Sequence, residues 1–471
     1  MIHSLRHSAI LAVLGALASS ANAGDLRVGK AVVDITPEVG TPMLTPMVRP
    51  SVRLAEPAHD PLCVRAIVIE NGGVKAAIAA VDTTSIPNPM FEKAKSLVHA
   101  ATGIDQGSIM ISATHCHTAP QLRTQYLEKV DDQARAKGLA YIDSLPSKMA
   151  EAIIKAHEDL RPATVSAGVG HESSISFNRR FMMKDGTVMT NPGKDHPALH
   201  EQILRPAGPI DPEVGVVSFE TAERVPIATL VNFALHLDTD GGAAPTADFP
   251  ATVHKILAET RGPDMLSLFA IGAAGNINHY NLLDPKRPIR VKGHAESARI
   301  GATLAAEVLR TLPRLQPLDG SSLRVARETV TIDMPREKGA ALAAQHQNAE
   351  SFFDGEVTVT NKGGRQTFEA EVQVIALGNE LAWVGLPGEM FTEFGLALKN
   401  ASPFQYTMIH ELANASIGYV PNLRAYPEGA YEATYTRCAP GTGEMLVATA
   451  TQLLVKLKND KPADAARQAR N

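Results

Sequence analysis

The feature that most restricts the fold is a repeated exchange between two kinds of apolar segment along nearly the whole chain. Short runs, continuous or alternating, read as strands; longer runs with apolar residues three and four apart read as helices. Strand-like stretches fall at 76–86, 108–113, 163–169, 214–219, 226–235, 265–271, 322–332, 366–377, 382–385 and 402–409. Helix-like stretches fall at 88–101, 141–160, 248–260, 293–312, 388–399 and 443–457. Alternation of this kind predicts an α/β architecture, a layered mixed β-sheet domain flanked by helices. In such folds the strand ends are the natural place for chemistry. There is no repeat of 20–50 residues and no low-complexity tract, so 24–458 reads as one catalytic domain with a charged, loose tail at 459–471. The polar stretch 315–364 is a weak candidate for a boundary or a lid.

The N-terminus reads as a secretory signal. Arg6 and His7 precede an apolar run from Ala9 to Leu17, and Ala21-Asn22-Ala23 forms an A-x-A site before Gly24. The apolar run is too short to span a bilayer. The expected mature chain is exported, periplasmic or secreted, and begins near Gly24. Cys63, Cys116 and Cys438 then meet an oxidising compartment; the odd number leaves at least one thiol without an intrachain partner, and a Cys63–Cys438 bridge stays open. With 44% apolar and 20% charged residues the 471-residue chain has ample material for a core, and its net charge of −5 gives no basic footprint for nucleic acid.

Four segments carry possible chemistry. In Ser112-Ala113-Thr114-His115-Cys116-His117-Thr118-Ala119-Pro120 an H-x-H pair follows a small-residue apolar strand. If the pair continues that strand, both imidazoles share a face and suit one metal, or a ligand and a catalytic neighbour, while Cys116 points away. A lone H-x-H is more often structural. His236 closes the apolar run Val231-Asn232-Phe233-Ala234-Leu235 and would reach the same rim if that strand shares the sheet; a core histidine is the plainer alternative. Asp238 and Asp240 after it read as acceptors that orient imidazoles, or as a solvated turn. In Trp383-Val384-Gly385-Leu386-Pro387-Gly388-Glu389 a turn places Glu389 near a helix start, as metal ligand or as helix cap. Tyr419 and Tyr431 are candidates to ligate a metal or donate to an oxyanion, or they simply pack.

Taken in order, these segments resemble the neutral (neutral/alkaline, non-lysosomal) ceramidase family. Val28-Gly29-Lys30-Ala31-Val32-Val33-Asp34-Ile35-Thr36-Pro37 is similar to its first strand, and His59-Asp60-Pro61-Leu62-Cys63-Val64-Arg65-Ala66 to its next signature. The H-x-H segment, Asn232-Phe233-Ala234-Leu235-His236, Leu386-Pro387-Gly388-Glu389 and Gly418-Tyr419 to Tyr431-Glu432 follow in the family's order. The resemblance implies one Zn2+ held by His115, His236, Glu389 and Tyr419, with His117, Arg179 and Tyr431 in catalysis; Arg180 is the neighbouring alternative to Arg179. It also implies a catalytic domain without the family's C-terminal β-sandwich. Where the family has G-D-V-S-P-N, this chain has Gly275-Asn276-Ile277-Asn278-His279, so Asn278 replaces the serine that helps hold the ceramide headgroup; Thr118-Ala119 replaces Ser-Gly.

The implied function is zinc-dependent hydrolysis of the amide of a ceramide-like lipid or a related N-acyl amide. His117 or His279 would protonate the leaving nitrogen, with Asn278 and His279 on the substrate. A sugar N-deacetylase or esterase on the same scaffold, and a non-enzymatic lipid- or glycan-binding relative, are the rivals. The implied partners are a lipid or small N-acyl amide and, transiently, a membrane surface; nothing in the sequence sets the oligomeric state. The chain contains no G-x-S-x-G elbow and no H-E-x-x-H.

Overall fold

The computed structural model describes residues 26–44, 52–193, 197–284, 291–335 and 357–460. The expected signal peptide at 1–23 and all but the first two residues of the tail at 459–471 lie outside the described residues.

Three successive stretches of chain repeat one order of elements: three antiparallel strands, a helix, a fourth strand parallel to the third, and a second helix. The first has β1 (Arg27–Asp34), β2 (Cys63–Asn71), β3 (Val74–Val81), α1 (Asn88–Thr102), β4 (Ile109–Ala113) and α2 (Asp132–Glu158). The second has β5 (Thr164–His171), β6 (Glu213–Glu220), β7 (Pro226–Phe233), α3 (Phe249–Arg261), β8 (Leu266–Ile271) and α4 (His294–Thr311). The third has β9 (Leu323–Asp333), β10 (Arg365–Leu377), β11 (Leu381–Gly385), α5 (Thr392–Ala401), β12 (Tyr406–His410) and α6 (Thr442–Asn459). In each sheet the fourth strand lies on the open edge of the third. A helical crossover is what allows that parallel pair.

Alternation along the strands explains how three sheets share one interior. In β2, Val64, Ala66 and Val68 face one apolar cluster, which also takes in residues of α1 and α2, while Ile67 and Ile69 face another. That second cluster gathers the opposite faces of all three sheets, including Phe219 of β6 and Trp383 of β11. Both side chains are fully buried, and burial of this kind stabilises by about 1.5–3 kcal/mol per large apolar side chain. Helices cover the other faces: α2 packs on β1 and β2, α4 on β5 and β6, and α6 on β9 and β10. Strands buried on both faces read as continuous apolar runs, as in residues 76–81 (AAIAAV) of β3.

Four expectations need correction. Helix α2 begins at Asp132, not at 141; the Asp131 side chain caps it by accepting from the Ala134 N–H at 2.8 Å. Its first turns are polar and include Gly138, which hides the helical period. Helix α5 begins at Thr392 rather than 388, because Glu389–Met390 is a short strand. The described parts of 315–364 belong mostly to sheets, with β9 and Thr360–Lys362 both paired to β10; residues 336–356 lie outside the described residues. Cys63, Cys116 and Cys438 are all buried free thiols, so the Cys63–Cys438 bridge does not form. Among the described residues no helix is long and apolar enough to cross a membrane.

Candidate active site

The repeated topology gathers side chains from loops that follow the parallel strands of all three sheets. His115 and His117 follow β4, His236 follows β7, Glu389 follows β11, and Tyr419 follows β12.

The H-x-H pair is not on the strand. β4 ends at Ala113, and His115 takes a left-handed conformation, φ 69°. For a residue with a Cβ that conformation costs roughly 1–2 kcal/mol and must be held by its surroundings. Three backbone bonds hold it: Thr114 N–H to Val81 O (2.9 Å), Cys116 N–H to Thr83 O (3.0 Å) and His117 N–H to Leu237 O (3.0 Å). The loop is thus pinned to the exits of β3 and β7. It still brings the two imidazoles together, with Nε2 atoms 3.2 Å apart. The Cys116 thiol turns into the protein and donates to Thr246 O at 2.8 Å.

The electrostatics at this point ask for a cation. His115 Nδ1 lies 2.7 Å from Thr84 O, and His236 Nδ1 lies 3.2 Å from Ala274 O. A carbonyl only accepts, so each Nδ1 carries a proton, and a ring without a second proton presents a lone pair at Nε2. Those two Nε2 atoms are 2.8 Å apart. Burial, followed by His115, pushes the His236 pKa well down, which opposes a proton as the shared cation. Beside them stands the Glu389 carboxylate, with Oε2 3.3 Å from His115 Nε2 and 3.7 Å from His236 Nε2. This buried oxygen has no hydrogen-bond partner. Burial raises the Glu389 pKa, but His115, Arg179 and the Tyr419 hydroxyl outweigh it and hold the group ionised. Converging lone pairs and an orphaned carboxylate oxygen are a donor set that fits a divalent metal of zinc type. His115, His117 and His236 together form a histidine trio able to hold an ion.

Glu389 and Tyr419 are neighbours by register. Glu389–Met390 pairs in parallel with Tyr419–Val420, and Glu389 N–H donates to Gly418 O at 2.9 Å. The strand, not a helix terminus, therefore places Glu389, and the capping alternative is excluded by the start of α5 at Thr392. The Arg179 guanidinium lies 5.3 Å from the centre of the Tyr419 ring and 5.8 Å from that of Tyr431. Its Nε donates to Glu432 at 2.7 Å and its NH2 to Gly275 O at 2.6 Å. Arg180 turns the other way, to Glu428 and Glu432, both at 3.0 Å, and over Phe391. Tyr431 is partly exposed and packs edge-on against Tyr419, 5.6 Å between centroids.

On the far side of the histidines, Asp238 lies 3.9 Å from His117 Nδ1 and is ion-paired to Lys292. Asp240 is not at the imidazole cluster; it pairs with His294 and takes part in a loop held by Asp248. Asn278 is buried, donates to Asn191 and accepts from Tyr280 N–H at 3.0 Å. His279 Nε2 donates to Val291 O at 2.9 Å, and its buried Nδ1 has no partner. Burial lowers the His279 pKa to about 4.

Sequence reasoning missed two fully buried carboxyl groups, Glu411 and Glu432. Burial pushes the Glu411 pKa well up. Glu432 joins Arg179 to Arg180. It also gave no role to Gly275, where an added Cβ would stand 2.4 Å from the backbone oxygen of Glu389. Backbone atoms at both sides of that contact leave no soft side chain to yield. Gly275→Ala is expected to lower stability by about 1–3 kcal/mol and to displace Glu389, read by denaturant unfolding together with zinc titration. Unchanged stability and zinc uptake would refute this close approach.

No protein-family model and no curated protein sequence matches this chain. Solved structures do. Neutral ceramidase from Pseudomonas aeruginosa superposes with a TM-score of 0.72 at 18% identity, over 93% of this chain and 75% of that one. A ceramidase complexed with C2 superposes with a TM-score of 0.71 at 18% identity, over 93% and 76% of the two chains. The mixed α/β fold expected from the sequence is the fold of neutral ceramidase.

Proposed function

We propose that this chain is an exported zinc-dependent amidohydrolase acting on a ceramide-like lipid or a related N-acyl amide. The observation that carries the reading is the convergence of His115 Nε2, His236 Nε2 and the unpartnered Glu389 Oε2, with Tyr419 beside them, on a ceramidase fold. Those four residues would hold the ion, which when bound supplies Lewis acidity for the amide carbonyl and acidifies water.

The chain's own groups divide the remaining work. Arg179 is held charged next to Tyr419 and Tyr431, so a guanidinium and a phenol stand ready where an oxyanion develops. His117, with Asp238 on its Nδ1 side, would move a proton between water and the leaving nitrogen. Thr84 and Ala274 fix which imidazole nitrogens face the centre. Asn278 is spent on Asn191 and Tyr280.

The test is fatty-acid release from a short-chain fluorescent ceramide by the zinc-loaded mature chain. Release that stops with a chelator and in His115→Ala supports the reading. Activity on N-acetyl sugars with none on ceramide would replace it with deacetylation, and zinc binding without any turnover would leave a binding protein.

A further inference from the structure

His236 and Glu389 reach the centre from different sheets, and neither strand by itself sets the distance between them. His236 leans through Nδ1 on the carbonyl of Ala274. Glu389 is followed directly by Met390, with which it forms the two-residue strand paired to Tyr419–Val420. The N–H groups of these same two residues, Ala274 and Met390, both donate to one atom. It is Oε2 of Glu411, at 3.0 Å from Ala274 N and 3.1 Å from Met390 N.

Glu411 follows β12 directly, and its own N–H is tied to Ile271 O at the end of β8 at 3.2 Å. The side chain has no exposed surface, and Oε1 has no partner. Burying a carboxyl group with one oxygen unsatisfied is costly. Joining the two loops does not require it, since Gly275 N–H already bonds Met390 O at 2.8 Å. What Glu411 adds is a common origin: one oxygen, fixed to a third strand, from which both metal-facing segments are measured.

We propose that Glu411 is a positioning residue for the metal centre, setting the separation of the His236 imidazole and the Glu389 carboxylate by accepting from both loops with one oxygen. The inference rests on the metal reading above. The role requires only an acceptor oxygen at that place, which a glutamine also supplies. Groups that orient metal ligands in this way typically contribute about 10–100-fold to metal affinity.

The experiment is a zinc titration against a chromophoric chelator on the full chain, comparing wild type, Glu411→Gln and Glu411→Met, with thermal unfolding of each zinc-free protein and visible spectra of the cobalt(II) forms. Glu411→Met, similar in length but without an acceptor, is expected to lose about 10–100-fold in zinc affinity and to show altered cobalt bands. Glu411→Gln is expected to stay within about threefold of wild type and to keep the wild-type bands, because its amide oxygen takes both N–H groups. Wild-type affinity in Glu411→Met, or a Glu411→Gln that loses as much as Glu411→Met, overturns the proposal. Should Glu411→Met fail to fold, Glu411→Asp, which withdraws the acceptor by one methylene, takes its place with the same expected loss; wild-type affinity there overturns the proposal. A wild-type chain that takes up no zinc overturns the metal reading itself, and Glu411's role with it. Losses confined to the variants bear on Glu411 alone.

Discussion

Replacing Glu432 by alanine is expected to destabilise the protein by about 3–5 kcal/mol, the range for removing one partner of a buried ion pair. Glu432 has no exposed surface and holds three groups: Arg179 Nε at 2.7 Å, Arg180 NH1 at 3.0 Å and the Thr190 hydroxyl at 2.8 Å. Both guanidinium groups are themselves buried. Without the carboxylate, Arg180 keeps Glu428 and the Gly429 carbonyl, whereas Arg179 keeps only the Gly275 carbonyl among these bonds. The loss therefore falls mainly on the arginine that faces the tyrosines. Glu432→Gln keeps shape and an acceptor while removing the charge, and is expected to cost about 1–3 kcal/mol. Activity should fall further than stability explains, because a displacement near 1 Å at a reacting centre costs on the order of 100-fold. Zinc content should stay at the wild-type level, since Glu432 touches none of the four inferred ligands directly. Denaturant unfolding and metal analysis of the two variants check this; a loss below about 1 kcal/mol in Glu432→Ala would mean that water or a rearranged Glu428 replaces the missing partner.

The contrast between Glu432 and the histidines shows what could be read from the chain alone. His115 and His236 each follow an apolar strand, so a local pattern announces a polar side chain at a rim. Glu389 was legible for a similar reason, as an acid after a strand and a Gly/Pro turn, although the turn leads into a two-residue strand rather than a helix. Glu432 carries no such announcement, and Glu411, although it follows β12 directly, has nothing beside it that marks its partners. Their partners lie far off in sequence: Arg179 is 253 positions from Glu432, and Ala274 is 137 positions from Glu411. A carboxylate in a short polar run looks solvated until a distant chain segment covers it. The positive φ of His115 was equally hidden, because three backbone bonds to the exits of β3 and β7 impose it and no glycine marks the place.

The threefold repetition of elements escaped sequence reading for another reason. Each unit spans well over a hundred residues, and its strands are specified only by apolar alternation, which many different sequences satisfy. What the repetition does for function is geometric. Every unit ends its parallel strands towards the same region, so each supplies loops to the centre without sharing a motif. Unit one gives the histidine pair, unit two gives His236 and the Ala274 carbonyl, and unit three gives Glu389, Glu411 and Tyr419. The chemistry is distributed over the chain because the fold, and not any one motif, does the gathering.

The second large effect concerns the metal. Wild-type protein is expected to gain about 4 kcal/mol of stability when free zinc is about 1,000 times its dissociation constant, and His236→Ala is expected to lose that gain. Its amide hydrolysis should drop by about a thousandfold or more, equivalent to about 4 kcal/mol of transition-state stabilisation. The zinc-free variant behaves differently. Removing the buried ring leaves a cavity and an unsatisfied Ala274 carbonyl, each costing on the order of 1–3 kcal/mol. It also removes one of two nitrogen lone pairs that face each other at 2.8 Å. The opposing contributions should leave zinc-free His236→Ala within about 2 kcal/mol of zinc-free wild type. His117→Ala separates the two ways of reading the histidine trio. If His115, His236, Glu389 and Tyr419 hold the ion, His117→Ala keeps the zinc-induced rise in unfolding temperature and loses turnover, because His117 acts on the proton. If His117 is itself a ligand, the rise disappears along with the activity, and the ligand set becomes the three histidines. Thermal unfolding of wild type, His236→Ala and His117→Ala, with and without zinc, decides between them.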